Sequence, residues 1–203
     1  MKITLPDGSI RELADGSSGL DLASDIGPGL AKAAVAVIVN GIQKDLSDPI
    51  DQDSEVSIIT IDSDEGLEIM RHTLTAQVLA RAVKNLYPDT KLAIGPTIAD
   101  GFYYDFEFKK AISPDDLASI EKEMKKIISN GSSITKTLHS KSDAMNIFKG
   151  VNESYKESII SESEQDDNFQ LYYQDNNEFV DLCRGPHLPS LKHIGAFRLT
   201  TFA

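Results

Sequence analysis

The chain has 203 residues, and 32 acidic against 20 basic side chains give it a net charge of −12. That length allows one or two domains. The charge excludes binding nucleic acid through overall basicity, because phosphate contacts need Lys and Arg, although a local basic surface is compatible with it. No apolar run approaches the ~18–20 residues of a membrane span. The opening Met1-Lys-Ile-Thr-Leu-Pro-Asp7 has no signal-peptide core, so a cytoplasmic protein with no membrane partner is expected. The single cysteine, Cys183, excludes an internal disulfide and is either a small core side chain or part of the chemistry.

Residues 1–62 read as one small unit. Met1 to Leu5 is a short strand, Pro6-Asp7-Gly8-Ser9 a turn, and Ile10 to Leu13 the returning strand. Leu20, Leu22, Ala23 and Ile26 recur at helical spacing, and Gly27-Pro28-Gly29 is expected to end that helix. Ala33 to Val39 is a β-branched run before Asn40-Gly41, a strong hairpin signal, and Val56 to Ile61 is a last strand. The order predicts an α+β, ubiquitin-like β-grasp unit, with an open α+β sandwich as the alternative.

Asp62 to Gly66 is polar, and a second unit, 63–203, follows. The pattern predicts one long helix from Leu67 to Leu86, closed before Pro88. Lys91 to Ile94 reads as a strand broken by Gly95-Pro96, and Gly101 to Phe108 as aromatic strand-type alternation. Ser113-Pro114-Asp115-Asp116 opens a helix whose apolar stripe is Leu117, Ile120, Met124, Ile127 and Ile128. Ser140 to Phe148 reads as a short helix, Ser161 to Asn168 as an acidic loop, and Gln170 to Tyr173 and Glu178 to Leu182 as strands. The second unit is thus expected to pack a long helix on an antiparallel sheet.

Asp181-Leu-Cys-Arg-Gly-Pro-His187 gathers an acid, a thiol, a cation and an imidazole within seven residues. The Gly-Pro turn can bring Cys183 and His187 toward one point, which suits a metal pair or a polar site that holds a water. A buried ion pair beside a core cysteine accounts for the same cluster without chemistry. His72 has no second histidine at i+3 or i+4 on its helix, Lys156 reads as an exposed lysine, and Tyr103-Tyr104 read as core tyrosines. His139 and His193 read as surface. No Walker motif, no G-x-G-x-x-G and no G-x-S-x-G is present.

Taken in order, these blocks resemble the N-terminal half of bacterial threonyl-tRNA synthetases. Residues 1–62 resemble the TGS domain through Leu5-Pro-Asp-Gly8, Gly29-Leu-Ala-Lys-Ala33 and Val39-Asn-Gly41. Residues 63–203 resemble the editing (second additional) domain. The carrying blocks there are Gly66-Leu-Glu-Ile-Met-Arg-His72, Ile94-Gly-Pro96, Gly101-Phe-Tyr-Tyr-Asp105, Glu153-Ser-Tyr-Lys156 and Val180 to His187.

The resemblance implies a proofreading module that hydrolyses seryl-tRNA(Thr), with tRNA(Thr) as partner. In that reading Cys183 and His187 line the water and the ester. Asp181 orients or accepts a proton, Lys156 meets the tRNA end or the developing charge, and Tyr104 shapes the amino-acid pocket. His72 joins the catalytic group, while Thr73, Gln77 and Arg184 join the substrate-binding group. The family's helix reads His-x-x-x-His, whereas here it is His72-Thr-Leu-Thr-Ala-Gln77. Either both histidines are replaced, by Thr73 and Gln77, or His72 is kept and one residue is inserted before Gln77. A π-bulge can absorb such a residue.

Gln77 is no imidazole base and a poor zinc ligand, so no metal is expected. The resemblance also implies that ATP, Mg and catalytic zinc, and the homodimer contact, belong to a class II core beyond these residues. The alternative functional readings are a tRNA acceptor-arm binding module with a decayed site and a stand-alone β-grasp interaction protein.

Overall fold

The computed structural model describes residues 1–175 and 177–202. The chain divides into two compact units: Met1–Met70 with Gly185–Pro189, and Arg71–Arg184 with Ser190–Ala203. The sequence-based division at 62/63 falls ahead of that change, which comes inside a helix.

In the first unit, β1 (Lys2–Thr4) pairs antiparallel with β2 (Ile10–Glu12) and parallel with β5 (Ser54–Thr60). β3 (Ala34–Val39) joins β5 to β4 (Ile42–Asp45), giving the sheet order β2-β1-β5-β3-β4. A central parallel pair with a helix in the crossover is the expected β-grasp arrangement. The hairpin between β3 and β4 turns on Asn40 and Gly41, with φ of 50° and 83°, the left-handed values that an Asn-Gly pair supplies.

Helix α1 (Gly19–Ile26) is capped by Ser18, whose hydroxyl accepts from the Asp21 N–H. Gly27-Pro28-Gly29 ends α1 at Ile26 as expected, with Gly27 as its C-cap. Pro28 opens a second helix, α2 (Pro28–Ala33), because a proline at the first helical position gives up no N–H that a helix uses. Ile3, Leu22, Ala23, Val37, Leu46, Ile50 and Val56 fill the space between helix and sheet. Gly66 meets this unit closely: a Cβ there would lie 2.1 Å from the Thr60 carbonyl oxygen.

The predicted single helix is divided into three pieces. Helix α3 (Asp64–Thr73) passes into a π-turn (Leu74–Leu79) and then into α4 (Ala80–Leu86). In the π-turn the Ala80 N–H donates to the Thr75 carbonyl, five residues back, so the segment carries one residue more than an α-turn. All six of its residues are buried. Helical periodicity alone does not foresee it, because the ladder shifts where tertiary contacts demand.

The segment from Lys91 to Phe108 yields only two-residue strands: β6 (Lys91–Leu92), β7 (Thr97–Ile98), β8 (Gly101–Phe102) and β9 (Phe106–Glu107). β7 and β8 form a hairpin, while β6 pairs with β9. Helix α5 (Pro114–Ser129) starts as expected, with the Ser113 N–H donating to Asp116 at 2.7 Å. Ile120, Met124 and Ile127 are buried on it, and Lys122, Lys125 and Lys126 are exposed.

Local patterning does not announce β10 (Ile134–His139) or α7 (Ser154–Glu162), and α6 (Lys141–Gly150) runs two residues beyond Phe148. β11 (Phe169–Gln174) lies between β10 and β12 (Phe179–Leu182), all antiparallel. Side chains alternate across this sheet. Phe169 and Leu171 pack with Ala144 and Phe148 of α6 and Ile160 of α7. Tyr172 and Gln174, paired with Asp181 and Phe179, lie on the other face, where Phe179 meets Ala80 and Leu92.

Candidate functional site

Two polar pairs of the second unit come together where β12 ends. The His72 Nε2 lies 3.0 Å from the Cys183 Sγ, although 111 residues separate them in the chain. His72 is therefore not a surface histidine: it is half-buried against the thiol, as Cys183 is half-buried against it. Cys183 is held by the strand ladder, its N–H donating to the Gln170 carbonyl.

Lys156, read as exposed from composition, is buried. Its ammonium lies 2.8 Å from the carboxylate of Asp181, with 5% and 2% of the two residues accessible. A buried charge needs a partner, and this pair satisfies that condition. The buried ion pair expected at Asp181 thus exists, but with Lys156, while Arg184 is exposed.

Lys156 owes its position to Glu153, the residue that precedes α7. One Glu153 oxygen accepts from the Leu92 N–H at 3.0 Å, and the other lies 2.6 Å from Lys84 Nζ. Those contacts tie the start of α7 to β6 and α4. Lys156 follows on the first turn and also reaches the Leu182 carbonyl at 3.5 Å.

Tyr104 is half-buried and stacks on Phe106 with ring centres 4.5 Å apart. Burial pushes its hydroxyl well above the usual tyrosine range, and the negative charges of Asp181, Glu153 and Cys183 push it further. At neutral pH it is a hydrogen-bond donor. Gly95 makes room for the ring: a Cβ at that position would lie 2.2 Å from Tyr104 and 2.4 Å from the Thr75 methyl. The Gly95→Ala variant is expected to lose about 1–3 kcal/mol of stability through overpacking. Urea unfolding measures this directly, and an unchanged midpoint would show that the ring has room to move.

Gln77 and Thr73 are both fully buried. The Gln77 side-chain oxygen accepts from Gln174 Nε2 at 2.9 Å, so its amide is engaged on β11. His187 belongs to the segment Gly185–Pro189 that groups with the first unit; there it is buried, and its backbone N–H donates to Asp45 at 2.9 Å. His139 and His193, read as surface, are each half-buried. Sequence reasoning passed over Gln174, Arg81 and Lys84. No local signal marks them, since each acquires its partner from a distant element.

For a metal, His72 and Cys183 offer one nitrogen and one sulfur, which are donor types that zinc accepts. Gln77, farther along the same helical segment, carries an amide, a poor zinc ligand whose oxygen already accepts from Gln174.

Residues 1–60 match the TGS domain, and residues 170–201 match the threonyl and alanyl tRNA synthetase second additional domain. Along its whole length the chain is similar to the N-terminal region of threonine–tRNA ligases. It is 47% identical over 201 residues to the threonine–tRNA ligase of Hahella chejuensis, covering 99% of this chain and 31% of that relative. Identity is 48% over 203 residues to that of Francisella philomiragia, covering 32% of it, and 47% over 197 residues to that of Prochlorococcus marinus, covering 30%. The chain thus spans about a third of the length of the relatives it matches. The TGS match bears out the β-grasp reading of the first unit. No described helix is long and apolar enough to cross a membrane.

Proposed function

We propose that this chain is the proofreading region of a cytoplasmic threonyl-tRNA synthetase and hydrolyses serine esters on tRNA(Thr). The observation that supports it most is the His72–Cys183 contact beside the buried Lys156–Asp181 pair. Threonine and serine differ by one methyl, which binding discriminates by only ~1–3 kcal/mol, so a second, hydrolytic site is the chemical remedy.

In this reading a water held at the imidazole and thiol attacks the ester carbonyl. His72 takes its proton as the carbon–oxygen bond forms. The Lys156 ammonium and the Tyr104 hydroxyl face the developing oxyanion. The ester bond to the terminal ribose then breaks, the ribose oxygen takes a proton, and serine leaves. Asp181 orients Lys156 through the 2.8 Å contact. Thr73 and Gln77 shape the helix side of the pocket, and the exposed Arg184 meets phosphate near the tRNA end. His187 enters this reading from the resemblance alone. Gln77, an amide engaged with Gln174, supports catalysis without a bound metal.

The test is deacylation of serine-charged tRNA(Thr) by this chain, with tRNA binding measured in parallel. Turnover above buffer, reduced about 10²–10⁴-fold in Cys183→Ala and unaffected by a chelator, is expected. Binding without turnover would overturn the proposal and favour a tRNA-positioning module, a reading to which the replacement of a helical imidazole by Gln77 lends support.

A further inference from the structure

A regular helix could not present both His72 and Arg81 to the same strand pair. Nine residues apart at ~100° each, the two side chains would point ~180° away from one another. Yet His72 meets Cys183 at the end of β12, and Arg81 meets β11 and its turn. The π-turn between them resolves the conflict. Absorbing one residue leaves an effective spacing of eight, or ~80°, which places both on the sheet side.

A π-turn relaxes to an α-turn unless something holds it, and the contacts that hold it are visible. Gln174 Nε2 donates at 2.9 Å both to the Gln77 backbone carbonyl inside the turn and to the Gln77 side-chain oxygen. Gln174 Oε1 accepts from Arg81 Nη1 at 3.2 Å. Arg81 is anchored in turn by Asp175 at 2.6 Å and Glu178 at 2.9 Å. Gln77, Gln174 and Arg81 are all buried, so water does not compete for these bonds.

We infer that Gln174 is a positioning residue: by bracing the Gln77 turn and Arg81, it fixes the helix register that sets His72 on Cys183. This rests on the hydrolytic reading only for its purpose. The register itself is testable without any tRNA, because Cys183 is the sole cysteine and its alkylation reports the state of one thiol. A neighbouring imidazolium promotes the reactive thiolate, so loss of the contact slows alkylation.

The experiment measures the iodoacetamide rate and its pH profile in wild type, Gln174→Met, His72→Ala and the double variant, with thermal midpoints alongside. Gln174→Met is expected to slow alkylation about tenfold, in the range of coupling between touching residues, and to add nothing in the His72→Ala background. Deleting Ala76 from the Gln174→Met protein removes the extra residue, and an α-turn then keeps the register. Its alkylation rate is expected to return to that of wild type. A Gln174→Met effect that persists unchanged without His72, or a wild-type rate in Gln174→Met, would overturn the inference. Absence of ester hydrolysis with these alkylation results intact would sink the proposed function and leave the positioning role standing.

Discussion

Replacing Lys156 with methionine is expected to cost about 3–5 kcal/mol of folding stability, the range measured when one member of a buried ion pair is removed. Methionine fills a similar volume, so the loss comes from Asp181, which is 2% accessible and would be left without the cation at 2.8 Å. Pairing Lys156→Met with Asp181→Leu removes both charges and should recover most of the loss. Chemical denaturation of the four proteins closes this cycle. A single variant no less stable than wild type would show that water reaches the carboxylate. A surface pair would behave differently, contributing only about 0–1 kcal/mol. The same contrast explains why Lys109–Asp89, with side chains 73% and 70% exposed, carries no comparable expectation.

The second large effect is kinetic. His72→Ala is expected to lower the rate of seryl-tRNA hydrolysis about 10²–10⁴-fold, the span of a positioned general base. Its contact with Cys183 at 3.0 Å places the imidazole where the water is proposed to sit. The loss should appear in single turnover with saturating enzyme, leaving tRNA affinity nearly unchanged, because the imidazole is asked to act in the transition state. An affinity loss that accounts for the whole effect would reduce His72 to a binding residue. Stability should fall only modestly, since the residue is half-buried rather than part of the packed core.

Both predictions concern residues that meet across long stretches of chain, and this divides what was legible from what was not. The Asn40-Gly41 turn, the Ser113 cap and the stripe on α5 follow from neighbours within four residues. Their conformational preferences are local, so the sequence by itself determined them and, through their order, the β-grasp unit. It also determined the stock of chemistry: one thiol, four imidazoles and an acid-rich chain without an ATP-binding motif.

What only the tertiary structure decided is the pairing. Lys156 reads as a solvated lysine until Asp181, twenty-five residues on, is placed beside it with both side chains buried. The periodicity of the helix reads as continuous, and the π-bulge stays one of two alignments, until Gln174 and Arg81 brace a turn with one residue too many. The physical reason is the same in each case. A backbone register or a buried charge is a compromise between local preference and a distant partner, and the distant term is larger where water is absent. Periodicity records the local preference and carries no information about which strand will lie opposite.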